Sequence, residues 1–127
     1  MTTATGLLQS EGYDFMAAVF EVYHEMGNGF LEEVYHASLE LALTDRGISY
    51  VSKLKLPLFY KAHRLKKQYE ADPIVIGEIV VELKSVKALV PEHEAQLINY
   101  LHATGKRVGY LVNFGSFPKL EWPRLVL

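Results

Sequence analysis

A chain of 127 residues, half of them apolar and 22% charged, is long enough to bury one hydrophobic core and short for two, so it reads as a single domain over residues 1–127. It contains no cysteine, which excludes disulfides, thiolate metal sites and cysteine nucleophiles and points to a cytoplasmic setting. Its apolar runs are far too short to cross a bilayer, its first residues lack the pattern of a secretion signal, and a net charge of −2 is not the usual footprint of a nucleic-acid binder.

Residues 12–26 read as an amphipathic helix, with Phe15, Val19, Val22 and Met26 at helical spacing. Gly27-Asn28-Gly29 interrupts it, Gly29 serving a chain reversal that no side chain makes as easily. A second helix is predicted over about residues 30–44, with a stripe of Leu31, Val34, Tyr35, Leu39 and Ala42 and with Gly47 as its stop. From Ser49 the pattern turns to β. Strands are predicted over 50–60 and 67–76 around the polar turn Lys61-Ala62-His63-Arg64, and a third over 79–86 after Gly77. Residues 91–104 form the next helix, opened by Pro91, a residue suited to the first helical position. A strand apolar on both faces follows over 107–114, and 122–127 offers a short last one. The order ααβββαβ(β) describes an α+β or mixed α/β fold, a small central sheet flanked by helices.

Charge is divided along the chain. Residues 1–47 hold eight carboxylates against Arg46 alone, whereas residues 48–127 hold twelve cations against seven carboxylates. Lys53, Lys55, Lys61, Arg64, Lys66 and Lys67 fall close together and are candidate contacts to a phosphate backbone. The same residues suit an ordinary solvated hairpin, because exposed strands and turns often carry lysine.

Glu82-Leu83-Lys84 stands in an otherwise apolar strand. Residues two apart in a strand share a face, so Glu82 and Lys84 lie with Val80 and Val86, while Ile79, Val81 and Leu83 cover the other side. Burying a carboxylate and an ammonium there is costly unless each is paired or a metal is present. A structural ion pair is one explanation and a metal site is the other. Asp72, across a tight turn, would supply a second carboxylate. Asp72 and Glu82, with the backbone carbonyl of Leu83, then make a ligand set for Mg²⁺ or Mn²⁺, and Lys84 would orient or help deprotonate the attacking water. Parity sets a condition. A two-residue loop at Gly77-Glu78 would set Asp72 opposite Leu83, on the wrong face, whereas a three-residue loop over 76–78 or a bulge at Pro73 would align it with Glu82. None of the five histidines has zinc-site spacing; His63 and His93 are the two nearest candidates for phosphate.

The chain resembles the GxxExxY proteins, a branch of the PD-(D/E)XK nuclease superfamily. The naming motif stands as Gly29-Phe30-Leu31-Glu32-Glu33-Val34-Tyr35, and the core motif as Asp72 with Glu82-Leu83-Lys84. Gln96-Leu97-Ile98-Asn99-Tyr100 is similar to the Q-x-x-x-Y element of related nucleases, and Gly109-Tyr110-Leu111-Val112-Asn113-Phe114-Gly115 to the strand after that helix. The resemblance runs from about residue 12 to the C-terminus. It implies a restriction-endonuclease-like core and a metal-site pattern. One departure is Pro73, which stands where the resembling proteins usually carry an aliphatic residue. Gln96 and Tyr100, at i and i+4, share a helical face that would meet the metal site or a phosphate, while Leu97 and Leu101 pack inward. Glu32 is a candidate fourth ligand or a carboxylate complementing its helix dipole, and Tyr35 reads as core.

The expectation is therefore a Mg²⁺- or Mn²⁺-dependent nuclease that hydrolyses phosphodiester bonds of DNA, with RNA as the second choice. Asp72, Glu82, Lys84, Gln96 and Tyr100 carry the chemistry, and Asp72, Glu82, Leu83 and Glu32 hold the metal. No membrane partner is expected, and a homodimer or protein partner would help so small a domain grip a duplex. The competing expectation is a catalytically silent module that keeps the nuclease fold and binds nucleic acid or protein. The near-neutral charge favours the silent module. The intact set of Asp72, Glu82 and Lys84 favours the enzyme.

Overall fold

The computed structural model describes residues 6, 8–53, 55–70 and 73–127. Helix α1 (Gln9–Met26) begins three residues before the predicted start and buries Phe15, Val19 and Val22, the apolar stripe that its spacing predicts. Gly29 then takes φ +111°, a backbone region that favours glycine, and the chain reverses. Helix α2 (Glu32–Asp45) buries Tyr35, Leu39, Ala42 and Leu43. Leu31, expected on that stripe, is instead 70% exposed, because it is the residue before the first helical turn and points away from the buried face.

Among the described residues, five strands separate α2 from the third helix: β1 (Val51–Ser52), β2 (Lys55–Tyr60), β3 (His63–Glu70), β4 (Ile74–Ile76) and β5 (Ile79–Lys84). Helix α3 (Pro91–Thr104), β6 (Val108–Asn113) and β7 (Arg124–Val126) follow. The main sheet has the order β1-β4-β5-β6-β7. Its β5–β6 pair is parallel, with α3 as the crossover, and the other pairs are antiparallel. Strands β2 and β3 form a separate two-stranded sheet. The three strands expected before α3 are thus five. The segment 50–60 is divided at Lys53, whose φ of +58° turns the chain out of the sheet after β1. The segment 67–76 is divided before Pro73, which has no N–H to extend the ladder upstream of β4. The polar turn is also tighter than expected: Tyr60 pairs with His63, so His63 and Arg64 already belong to β3.

Helices α1 and α2 cover one face of the sheet. Ile79, Val81 and Leu83 of β5 and Val108 and Val112 of β6 pack there against Phe15, Tyr35 and Leu39. Helix α3 covers the other face, with Leu97, Tyr100 and Leu101 packed on Val75, Val80 and Leu111. Strands β5 and β6 are buried on both sides, which is why both read as nearly continuous apolar runs. Each leucine sealed in these layers contributes about 2 kcal/mol relative to exposure. Among the described residues, no helix is long and apolar enough to cross a membrane.

Candidate active site

The strand that carries Glu82 and Lys84 is central, with β4 on one side and β6 on the other. Lys84 is its last residue and stands in register with Asn113 of β6. Glu82 shares the α3 face with Val80, and its carboxylate is largely withdrawn from water, the residue being 7% exposed. Lys84 Nζ lies 3.9 Å from Glu82 Oε2 and donates a hydrogen bond of 3.1 Å to Gln96 Oε1. Three polar groups from a central strand and its crossover helix therefore meet at the C-terminal end of β5, where open α/β sheets commonly take ligands. Leu83 turns its side chain into the opposite core.

The loop from β4 to β5 is the two-residue form, since Ile76 pairs with Ile79 across Gly77 and Glu78. The three-residue loop is excluded. Asp72 lies outside the described residues, and the described register ends at Ile74 opposite Val81.

Gln96 and Tyr100 do not stay together. Gln96 is exposed at the rim, whereas Tyr100 is fully buried with Leu97 and Leu101. The cause is position along the helix: α3 returns across the sheet from the end of β5, and four residues carry Tyr100 about 6 Å further over the core. Glu32 is exposed in the first turn of α2 and lines a recess with Leu31, Glu33 and His36. Its segment is fastened to β5, because the Ser85 hydroxyl donates to the Phe30 carbonyl at 2.6 Å. Among the described residues, no group of three His, Asp or Glu side chains gathers to hold a metal. Tyr35 clamps the turn before α2: its hydroxyl donates to the Gly27 carbonyl at 2.5 Å and accepts from the Phe30 N–H at 3.2 Å, while its ring stacks on Phe114. His93 Nδ1 accepts from the Val90 N–H at 3.1 Å and so caps α3.

Asn113 has a role that sequence reasoning missed. It is fully buried, and its Oδ1 accepts from the N–H groups of Val86 (3.0 Å) and Gly115 (3.1 Å), while Nδ2 donates to Glu121 Oε1 at 3.0 Å. These bonds hold the chain where it leaves Lys84. Gly115 fits there because a Cβ would come within 2.4 Å of the Val86 carbonyl. The available signal was an amide at the end of an otherwise apolar strand, where a buried polar group must find partners.

Of the six basic candidates, Lys53, Lys61, Arg64, Lys66 and Lys67 are exposed, and among the described residues none of these five forms an ion pair. Lys55 lies in β2, and its side chain is outside the described set. Strand β2 packs against α3, the helix that carries Gln96.

A sequence model of the PD-(D/E)XK nuclease superfamily matches residues 9–125, from the start of α1 into β7. No curated protein and no solved structure gives a significant match. A match over nearly the whole fold, with the Glu82-Leu83-Lys84 strand at its centre, is sufficient to settle descent: the chain belongs to the PD-(D/E)XK nuclease superfamily.

Proposed function

We propose that this protein is a cytoplasmic, Mg²⁺- or Mn²⁺-dependent nuclease of the GxxExxY branch, hydrolysing phosphodiester bonds of DNA in preference to RNA. The observation that carries the reading is Lys84, held between Glu82 and Gln96 at the end of a central strand. A buried carboxylate beside a half-buried ammonium at that place is hard to explain by stability, since such a pair is often no better than apolar residues of the same volume. The donor set fits a hard cation. The chain has no sulfur ligand of the thiolate kind, and Mg²⁺ needs only one or two carboxylates beside water and phosphate oxygens. Glu82 is one such carboxylate, and the Leu83 carbonyl is another donor; Asp72 is proposed as the second carboxylate on the condition that a bulge at Pro73 offsets the two-residue loop, which by itself would set it opposite Leu83. A bound cation of this type supplies Lewis acidity toward phosphate oxygen and a water of lowered pKa.

The chain's own groups do the rest. Glu82 fixes one oxygen donor on a rigid strand. Lys84 directs its ammonium toward the incoming water and the charge that develops on phosphorus oxygens. Gln96 is a positioning residue, because its amide oxygen holds one of the three Lys84 donors and so fixes where the others point. Tyr100, buried in the α3 layer, supports that helix. The exposed cations of the β2–β3 hairpin hold the phosphate backbone. Thermal stabilisation by Mn²⁺ that disappears in Glu82→Gln, together with Mn²⁺-dependent cleavage of DNA, is the expected result; an unchanged melting temperature with Mn²⁺ in the wild-type protein would defeat the reading.

A further inference from the structure

The β2–β3 hairpin stands apart from the main sheet and carries more than charge. Residues 53–67 include six cations and no carboxylate. Two aromatic rings lie near its tip in water, with Phe59 60% and Tyr60 61% exposed. The register assigns them to faces. Phe59 stands opposite Arg64, and the register shifts between Pro57 and Phe59, facing the stretch of β3 that carries Lys66 and Lys67. Tyr60 stands opposite His63 on the other face, and the Lys61 ammonium lies 5.5 Å from the Tyr60 ring centroid. Each ring thus has a cation beside it, Arg64 as the cross-strand neighbour of Phe59 and Lys61 at the Tyr60 ring, with Lys66 and Lys67 exposed further along β3.

We propose that this hairpin is a binding arm for single-stranded DNA, on which unpaired bases stack against Phe59 and Tyr60 while Arg64, Lys66 and Lys67 take the adjoining phosphates. Base stacking on exposed aromatic rings, combined with a cationic track, is how proteins hold single strands without reading sequence. A duplex would use the cations and leave the rings idle, because its base faces are already stacked and only edges and phosphates are presented. The arm packs on α3, so a strand lying along it passes on the side of the sheet that holds Glu82, Lys84 and Gln96. The choice of DNA rests on the nuclease reading above; the stacking argument rests on the arm alone.

Fluorescence anisotropy with a labelled oligothymidine and with a duplex of equal length tests this, in EDTA so that no hydrolysis intervenes. The single strand should bind more tightly than the duplex. Phe59→Ala and Tyr60→Ala should each weaken it by about tenfold, the lower range for loss of one stacked base. Phe59→Leu should weaken it similarly, since it keeps apolar bulk and removes the ring face. Melting temperatures of all three variants should match the wild type, as both rings are exposed. Lys66→Ala should flatten the dependence of log affinity on log salt by about 0.7. Ring variants that bind the single strand as the wild type does would overturn the proposal. So would a duplex bound equally well, or sedimentation showing a dimer that the ring variants dissociate, which would mean the arm covers a second copy of the acidic helices. A protein that binds through the rings but leaves DNA uncut in Mn²⁺ would support the arm and overturn the nuclease reading instead.

Discussion

Replacing Asn113 by alanine tests how the end of β5 is held. The side chain satisfies the N–H groups of Val86 and Gly115 and donates to Glu121, all at 3.0–3.1 Å. Truncation leaves two backbone donors without their acceptor in a site where Asn113 itself has no exposure. An unsatisfied buried donor costs about 1–3 kcal/mol and an ordinary lost hydrogen bond about 1 kcal/mol. Val86 and Gly115 are half-buried, so water recovers part of the loss and the lower range applies to each. The sum is about 3 kcal/mol, a large share of the roughly 5–15 kcal/mol typical of a domain. Urea unfolding followed by circular dichroism should show a lower midpoint with an unchanged slope, and the melting temperature should fall by about 10 °C. A loss below about 1 kcal/mol would show that the amide does not anchor the loop after Lys84.

Two further substitutions probe the neighbourhood. Gln96→Ala removes the acceptor 3.1 Å from Lys84 Nζ and should lower the single-turnover cleavage rate about tenfold, with KM and stability nearly unchanged and with rescue by Gln96→Glu; an unchanged rate would show that Gln96 does not position the Lys84 ammonium. Tyr35→Phe keeps the stack on Phe114 but loses two hydrogen bonds across the Gly27–Phe30 turn, so unfolding free energy should fall by about 1–2 kcal/mol, measured in urea.

The helices were legible because their buried faces obey the helical period: Phe15, Val19 and Val22 in α1, Leu97 and Leu101 in α3. The pair Glu82 and Lys84 was legible because two charges broke an apolar run, and strand parity alone placed both on one side. The division of 50–60 between two sheets was hidden, since both halves are apolar and the break is a backbone angle at Lys53 that leaves no mark on composition. Helical spacing grouped Gln96 with Tyr100 but carries no information on depth, and one turn separates the rim from the core. Asn113 went unassigned because its partners, Val86, Gly115 and Glu121, come from segments whose proximity depends on the β5–β6 pairing and the turn beyond. The hairpin length between β4 and β5 was an open parity question, and the pairing of Ile76 with Ile79 gives the two-residue loop, which leaves a bulge at Pro73 as the way to align Asp72 with Glu82.

Lys84 is proposed to serve hydrolysis at a cation-dependent site. Its most direct test compares wild-type protein and Lys84→Ala in Mn²⁺, with cleavage of labelled single-stranded and duplex DNA followed on gels and oligonucleotide affinity measured in EDTA. The wild type should cleave and a chelator should stop it. Lys84→Ala should lose about 100-fold or more in rate while keeping its affinity, because a group that aids proton transfer or charge stabilisation acts in the transition state rather than in binding. Equal cleavage by both proteins would remove Lys84 from the chemistry, and a wild-type protein that binds DNA but cuts neither form would be a catalytically silent member of its superfamily.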